Sequence, residues 1–181
     1  MLPVRLNDEV VLELLELRHA EELFRLAEMN REHLRRWLGW VDGSRSVEDT
    51  KRYIRRMGKQ LGDNRGFQTV IRFRGSLAGV VGHHRVDWAN RSVALGYWLA
   101  ADAQGHGVMT ESCRAFVRHA FDVWTLNRVE IRCAVENVKS RAIPERLGFR
   151  AEGTVRQAEW LYDRFVDHVV YGLLAGDRPE G

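Results

Sequence analysis

A glycine-containing turn at residues 104–110 says more than any other segment about what this chain can bind. Its sequence is Gln-Gly-His-Gly-Val-Met-Thr. It joins a strand-like segment, residues 92–100, to an amphipathic helical pattern that begins near Val108. A turn that feeds a helix N-terminus points several backbone N–H groups at one place, where the helix dipole also favours negative charge. The turn therefore predicts a phosphate or pyrophosphate site, although Gly105 and Gly107 would also suit a plain tight turn.

The turn does not carry the fingerprint of a common nucleotide site. No Lys-Ser or Lys-Thr follows the glycines, as a P-loop requires, and no third glycine or later ribose-binding acid completes a dinucleotide pattern. ATP and NAD are therefore poor candidates for the cofactor, and some other phosphorylated molecule is expected.

Length and composition favour one domain spanning residues 1–181, with residues 175–181 as a flexible tail. The chain has 181 residues, of which 45% are hydrophobic, enough for one packed core and short for two. No run approaches the ~20 apolar residues of a membrane span, and the N-terminus lacks the order of a signal peptide. We expect a cytoplasmic protein without membrane contact. Cys113 and Cys133 have no CxxC spacing, which argues against a disulfide framework and against a metal site.

The basic residues are mostly arginine. Three of the 28 are Lys, at positions 51, 59 and 139, and the rest are Arg. Arginine suits phosphates and carboxylates, so an anionic cofactor or an acidic partner is one interpretation. Genome composition or heat adaptation is another. Acidic residues are interspersed with the basic ones, which argues against direct nucleic-acid binding.

Hydrophobic periodicity predicts an α/β domain. A strand followed by a helix crossover and a further strand requires a parallel pair, whereas the short turns elsewhere predict antiparallel neighbours, so the sheet should be mixed. The predicted strands are residues 10–17, 67–73, 77–86, 92–100, 128–135, 153–161 and 166–174, and the predicted helices follow residue 20, start at Ser46, start near Val108 and cover residues 137–147.

Five segments in a fixed order resemble the GNAT family of acetyl-CoA-dependent N-acetyltransferases. They are residues 95–99, 104–107, 135–142, 147–149 and 152–153. The resemblance covers nearly the whole chain and is narrower still to the RimJ/RimL branch, which acetylates the N-termini of ribosomal proteins. It implies a GNAT fold, with a mostly antiparallel sheet of about seven strands splayed at a parallel pair and flanked by helices.

The resemblance implies that acetyl-CoA is the cofactor and says where it lies. The pyrophosphate would sit on residues 104–110, and pantetheine would pair like an extra strand between residues 97–101 and 131–135. Cys133 would face either the core or the cofactor sulfur. The implied cofactor-binding residues are Trp98, Leu99, Ala101, Gln104, Gly105, His106, Gly107, Val108, Met109, Thr110, Asn137 and Ser140. The local alternative for Asn137 and Ser140 is a helix cap.

By the same resemblance, Glu159 is the candidate general base and Ser140 the candidate donor to the departing thiolate. His83 and His84 are alternative bases, because the unperturbed pKa of a histidine side chain, about 6.5, suits proton transfer. Many relatives place a tyrosine acid where this chain has Pro144. Pro144 lacks an N–H, so the carbonyl of Ser140 should lose its helical partner.

A backbone N–H near Trp98 could polarise the thioester carbonyl. Four aromatic residues, Trp37, Trp40, Tyr97 and Trp160, are candidates for substrate contact, with core packing as the alternative. The acceptor would be the N-terminal amine of a ribosomal protein. Two rivals are a small amine such as an aminoglycoside or polyamine, and a non-catalytic ribosome- or nucleic-acid-binding module. The resemblance also implies a homodimer.

Overall fold

Eight β-strands form one sheet in the computed structural model, which describes residues 3–177. They are β1 (Val4–Arg5), β2 (Val10–Leu14), β3 (Gln68–Phe73), β4 (Ser76–Asp87), β5 (Ser92–Leu99), β6 (Arg128–Ala134), β7 (Arg150–Leu161) and β8 (Arg164–Leu174). Their order across the sheet is β1-β2-β3-β4-β5-β6-β8-β7. The predicted mixed sheet is confirmed. It has one strand more than the about seven expected, because the two residues of β1 are too few to show alternation.

Within the described residues, five α-helices flank the sheet. They are α1 (Ala20–Met29), α2 (Arg31–Arg35), α3 (Val47–Gly62), α4 (Val108–Arg118) and α5 (Val138–Arg146). Helix α4 continues into a π-helical turn at His119–Val123. Across residues 3–177, every helix is too short or too polar to cross a membrane.

Helices cover both faces of the sheet because neighbouring strand residues point to opposite sides. Val70 and Val80 pack with α1 and α3, whereas Ile71 and Val81 join the larger cluster that includes α4. All four side chains are buried. The sheet is therefore held between two apolar layers, with its strand ends free to form a site.

The parallel pair β5 and β6 separates along its length. The register pairs Ser92 with Arg128 and Ala94 with Glu130, and pairing stops there although β5 continues to Leu99. Beyond that point β5 stays bonded to β4 and β6 to β8. A gap with unshared backbone groups on both sides follows from this splay, as the resemblance implied.

Most predicted boundaries hold within a few residues. Ser46 caps α3 and its hydroxyl accepts from the Asp49 amide at 3.2 Å, as predicted. The first long strand ends at Leu14 rather than at residue 17, because Leu17–His19 form a 3-10 turn. Gly148 has a φ of 81° directly after α5, which fits the predicted glycine cap.

The segment predicted as a flexible tail begins with three residues that the structure describes, and its flexibility stays a prediction. Ala175–Asp177 form a 3-10 turn, in which an Asp177 carboxylate oxygen accepts from the Leu174 amide at 3.3 Å. Asp177 also pairs with Arg150 at 3.0 Å. These contacts fix the turn against β7, and residues 178–181 lie outside the described residues.

Candidate functional site

The turn at residues 104–110 presents free backbone donors. Gly105 and Gly107 have φ values of 83° and 73°, and Gly107 is the N-cap residue of α4. Within the described chain, the amides of residues 105–110 have no hydrogen-bond partner. The amide of Gln104, the first residue of the turn, is not free, because it donates to the carbonyl of Ala101 at 3.3 Å. Six consecutive N–H groups at a helix N-terminus can therefore bind an anion.

The gap between β5 and β6 offers further donors. The Ala100 amide donates to Ala78 of the neighbouring β4 segment at 2.8 Å. Hydrogen-bonding direction alternates along a strand, so the Trp98 amide also faces β4. The amides of Tyr97 and Leu99 then face the gap. The donor predicted near Trp98 is therefore supplied by its two neighbours.

Three basic side chains that the sequence did not single out lie beside the turn. Lys139 donates to the side-chain oxygen of Gln104 at 2.9 Å, and the amide nitrogen of Gln104 lies 3.0 Å from Nε2 of His33. Arg146 donates to the hydroxyl of Thr110 at 3.1 Å. With the turn they line a cavity of about 830 Å³. Lys139 and Arg146 belong to the helix that was predicted to carry Ser140. That shared helix is the sequence feature from which their place beside the turn could have been predicted.

The start of α5 combines a cap with a site. The Oδ1 atom of Asn137 accepts from the Ser140 amide at 3.3 Å, so the local alternative is present. Both residues also line the cavity beside the turn and a second, larger cleft. The side-chain nitrogen of Asn137 has no hydrogen-bond partner in residues 3–177, so it can donate to a ligand.

Pro144 leaves the Ser140 carbonyl without a helical donor, as predicted, and Tyr97 supplies another. The Tyr97 hydroxyl donates to the Ser140 carbonyl at 3.0 Å. This bond joins β5 to α5 across the mouth of the gap. The tyrosine thereby fixes the position of the Ser140 backbone.

Cys133, Ser140 and Tyr97 meet at the same place. The Ser140 Oγ lies 3.3 Å from the Cys133 sulfur and 3.4 Å from the Tyr97 oxygen. Burial, with a smaller contribution from Cys133, raises the pKa of Tyr97 well above its usual range, so the phenol stays protonated and can donate. Burial also raises the pKa of the Cys133 thiol. Cys133 thus belongs to the core and touches the site at once.

A larger cleft, of about 2020 Å³, is lined by this cluster and also by Glu159. Glu159 lies on β7, and its Oε2 is 3.2 Å from Nε2 of His168 on β8. A Cβ added at Gly39 would approach its other oxygen, Oε1, to 3.3 Å. One carboxylate oxygen is thus held by a histidine, and the other faces the loop that precedes α3.

The aromatic candidates divide into two groups. Trp37, Tyr97 and Trp98 line both cavities, and Trp40 lines the larger one, where it packs on Trp98 with ring centroids 5.9 Å apart. Trp160 lines neither, because it follows Glu159 on the strand and stacks on Phe165 instead. Three of the four aromatic substrate candidates therefore line the larger cleft, together with Trp98.

His106 also points away from the cavities. It packs on Phe73, with ring centroids 5.3 Å apart, and it lines neither cavity. The other predicted cofactor-binding residues all line the smaller cavity: Trp98, Leu99, Ala101, Gln104, Gly105, Gly107, Val108, Met109, Thr110, Asn137 and Ser140. At position 106, therefore, the group available for an anion is the backbone amide, which has no hydrogen-bond partner in the described chain.

The two histidines named as alternative bases have different surroundings. His83 is fully buried among aromatic side chains, and burial lowers its pKa to about 3. His84 lines the larger cleft, and its Nδ1 accepts from Gln68 at 3.3 Å. With Nδ1 as the acceptor, the neutral ring carries its proton on Nε2, so this nitrogen is a donor rather than a base. Burial, and then the charge of Arg85, lowers its pKa. Residues 3–177 contain no group of His, Cys, Asp and Glu arranged to hold a metal.

Comparison with known proteins identifies relatives. The family model described as acetyltransferase (GNAT) domain matches residues 9–150. The chain is 35% identical over 175 residues to YdaF of Bacillus subtilis (strain 168), whose name places it provisionally among ribosomal N-acetyltransferases. That match covers 96% of either chain.

Two solved structures match the fold of this protein over nearly the whole chain. RimL, the ribosomal L7/L12 alpha-N-protein acetyltransferase, in complex with coenzyme A has a TM-score of 0.92 at 25% identity, covering 97% of this chain and 99% of its own. The microcin C7 self-immunity acetyltransferase MccE, in complex with acetyl-CoA and AMP, has a TM-score of 0.91 at 29% identity, covering 95% and 96%. The likeness extends to both sides of the cleft.

Proposed function

The chain belongs to the GNAT acetyltransferase family, and we propose that it transfers the acetyl group of acetyl-CoA to the N-terminal α-amino group of a ribosomal protein. The observation that carries this proposal is that Ser140 and Glu159, from α5 and β7, line one cleft where β5 and β6 separate. Acyl transfer to an amine needs a base for the nucleophile and a donor for the leaving group. A carboxylate and a hydroxyl on the same cleft provide both.

The residues on the smaller cavity fit coenzyme A. The free amides of residues 105–110 suit a pyrophosphate, and Lys139 and Arg146 add positive charge beside them. Pantetheine contains amides, which can pair with the amide of Tyr97 or of Leu99 in the gap as an added strand does. Asn137 offers a side-chain donor on the same wall.

Glu159 is proposed to accept the proton of the attacking amine, directly or through water. An α-amino group has a pKa of about 7.7 to 8.0, against about 10.4 for lysine, so a weak base suffices for an N-terminus. Nε2 of His168 lies 3.2 Å from Oε2, and we propose that Oε1 receives the proton. We assign His168 the part of orienting the carboxylate.

Ser140 is proposed to stabilise the departing sulfur. When bound, acetyl-CoA supplies an activated thioester, whose thiolate should have a pKa near that of cysteine, about 8.5. The Ser140 hydroxyl has only long contacts, at 3.3 and 3.4 Å, and can exchange them for the sulfur. One of the two amides that face the gap, that of Tyr97 or that of Leu99, is proposed to polarise the carbonyl oxygen, which leaves the other for pantetheine.

A protein N-terminus is favoured over a small amine by the form of the cleft. A small cation would be expected to select a closed acidic pocket, whereas this cleft is long and extends from Glu159 to Trp88. The names of YdaF and RimL support a ribosomal acceptor. Such an acceptor would place the reaction in the cytoplasm. The homodimer implied by the resemblance stays a prediction.

The test is a mass-spectrometric assay with acetyl-CoA and three classes of acceptor. These are peptides that copy ribosomal-protein N-termini, the same peptides with blocked N-termini, and polyamines. We expect acetylation of the free peptides at the α-amine and none of the blocked ones. Rapid acetylation of polyamines without any peptide product would refute the proposal in favour of a small-amine enzyme.

A further inference from the structure

The far end of the larger cleft is lined by cations. Helix α3 contributes Arg56 and Lys59, three residues apart and therefore on one helix face. Arg65, which follows α3, and Arg85 on β4 line the same end. All four side chains are exposed. Arg56 lies over the ring of Tyr53, at 5.8 Å from its centroid.

These cations lack partners that would cancel their charge. Among residues 3–177, none of Arg56, Lys59, Arg65 and Arg85 forms a salt bridge, whereas the neighbouring Arg52 and Arg55 are paired with Asp49 and Glu48. Other arginines among residues 3–177, such as Arg36, Arg118 and Arg156, also form no salt bridge, but they do not line this cleft, whereas these four cations do. The cleft end is therefore short of anions.

Two carboxylates at the same end reduce the excess without removing it. Asp87 is held by the amide and side chain of Asn90, at 2.9 and 2.8 Å, and Asp63 makes no side-chain bond in the described part of the chain. Four unpaired cations against two carboxylates leave a surplus of two positive charges. An occupant that carries one or two negative charges would balance it.

The distance from the proposed chemistry fits an extended peptide. On β4, Val81 lies opposite Tyr97, and Arg85 is four residues further along the strand. At a rise of about 3.3 Å per residue, this separation is about 13 Å. A peptide whose α-amine lies beside Tyr97 and Glu159 would bring its third to fifth residues to the cations.

We propose that this cationic end selects acceptor N-termini that carry acidic side chains at about their third to fifth positions. The inference rests on the proposed peptide acetyltransferase function and adds the charge of the acceptor to it. The hydrogen-bonded series Tyr53, Gln68 and His84 is consistent with an extended main chain, because His84 lines the cleft and its Nδ1 is occupied by Gln68, which leaves Nε2 as a donor for a peptide carbonyl.

The test compares three peptides with one N-terminal dipeptide that differ only at the third to fifth positions, which are acidic, neutral or basic. We expect the kcat/KM of the acidic peptide to exceed that of the basic one about tenfold at low salt, mostly through KM. The ratio should shrink towards one as salt shortens the screening length to about 3 Å near 1 M.

Two variants on one helix give a matched control. Arg56→Glu and Arg55→Glu change the net charge equally, but only Arg56 lines the cleft. We expect Arg56→Glu to raise the KM of the acidic peptide about fivefold or more and to reduce the acidic-to-basic ratio accordingly. Arg55→Glu should leave that ratio within about twofold of the wild-type value.

The outcomes separate the two proposals. Peptide acetylation without charge preference, or equal effects of Arg55→Glu and Arg56→Glu, would overturn the acidic-acceptor inference and leave the proposed function standing. Absence of any peptide acetylation alongside acetylated polyamines would overturn both. Competitive inhibition by a single-stranded RNA oligonucleotide, with no preference among the peptides, would assign the cations to nucleic acid and also overturn the inference.

Discussion

The two sides of the cleft are built from different kinds of groups. On the proposed cofactor side, the six consecutive backbone amides of residues 105–110 have no hydrogen-bond partner in the described chain, and we expect their side chains to contribute little. On the proposed acceptor side, Glu159, His84 and Arg56 come from β7, β4 and α3 and act through side chains. A ligand shared by a whole family can be held by the backbone, whereas one that differs among members requires replaceable side chains.

The largest effect should come from the acceptor side. Glu159→Gln keeps the shape of the side chain but removes the base, so kcat should fall about a hundredfold, within the range for general base catalysis. The Kd of acetyl-CoA should hardly change. Steady-state kinetics and calorimetry provide both values. The control is Trp160→Ala, the next residue on β7, whose exposed ring lies outside the cleft.

Retained turnover in Glu159→Gln across about pH 6 to 9 would remove this carboxylate from the mechanism. A Trp160→Ala variant as slow as Glu159→Gln would mean that the effect belongs to the strand rather than to the base.

The adjacent histidines of β4 contrast a core group with a cleft group. Burial lowers the pKa of His83 to about 3, so the unfolded chain takes up a proton first as the pH falls below about 6.5. His83 should therefore cost stability progressively between those two values. From about pH 7 to about pH 5 the wild type should lose about 2 kcal/mol more than His83→Phe.

Urea unfolding of both proteins at the two pH values measures this difference. The variant also loses the bond from His83 Nε2 to the Phe116 carbonyl, at 3.2 Å, so its stability is expected to be lower throughout. The slope with pH is the relevant quantity. Parallel curves would show that His83 does not titrate in the unfolding reaction.

Ser140→Ala tests the point where the two sides meet. Removing the hydroxyl should slow thiol release about tenfold while acetyl-CoA affinity is kept, because the cap from Asn137 uses the Ser140 backbone amide. Single-turnover assays of thiol release measure the rate. A wild-type rate would leave Ser140 with no part beyond the helix start.

The local features of the site could be read from sequence. Gly105 and Gly107 indicated the anion turn, and Pro144 indicated a carbonyl without a helical donor, because each acts within a few residues of chain. That Tyr97 would supply the donor could not be read, since β5 and α5 meet only through the fold. The contact of His168 with Glu159 could not be predicted for a similar reason. It reaches Glu159 across a register shift between Val155 and Glu159 that a two-residue period does not predict.

The prediction for Trp160 did not take account of the alternation of side chains along a strand. Adjacent strand residues point to opposite faces, so a cleft-facing Glu159 implies that Trp160 faces away. Glu159 was nevertheless predicted as the general base and Trp160 as a substrate contact. By contrast, Arg56 and Arg85 are unremarkable in a chain so rich in arginine, and what distinguishes them is that the fold brings both, without a salt bridge among residues 3–177, to the lining of one cleft.

The bond between Tyr97 and the Ser140 carbonyl can be isolated with a double-mutant cycle. Tyr97→Phe should cost about 1 to 2 kcal/mol of unfolding free energy, because it leaves that carbonyl without a donor. Pro144→Ala restores an N–H at the helical position. In that background the cost of Tyr97→Phe should fall by about 1 kcal/mol, as measured by denaturant unfolding. Additive effects would show that the carbonyl is satisfied in some other way.

The smallest predicted effects test whether the cofactor side uses the backbone alone. A Cβ at Gly105 meets no atom within 4 Å, so Gly105→Ala suffers only from the left-handed φ of 83°. That strain, about 1 to 2 kcal/mol, should weaken acetyl-CoA binding about fivefold. His106→Ala, one residue on, removes a ring that packs on Phe73 and should change the Kd less than about twofold. Calorimetry compares them, and an equal loss in both variants would mean that the imidazole itself binds the cofactor, which would contradict recognition through main-chain amides.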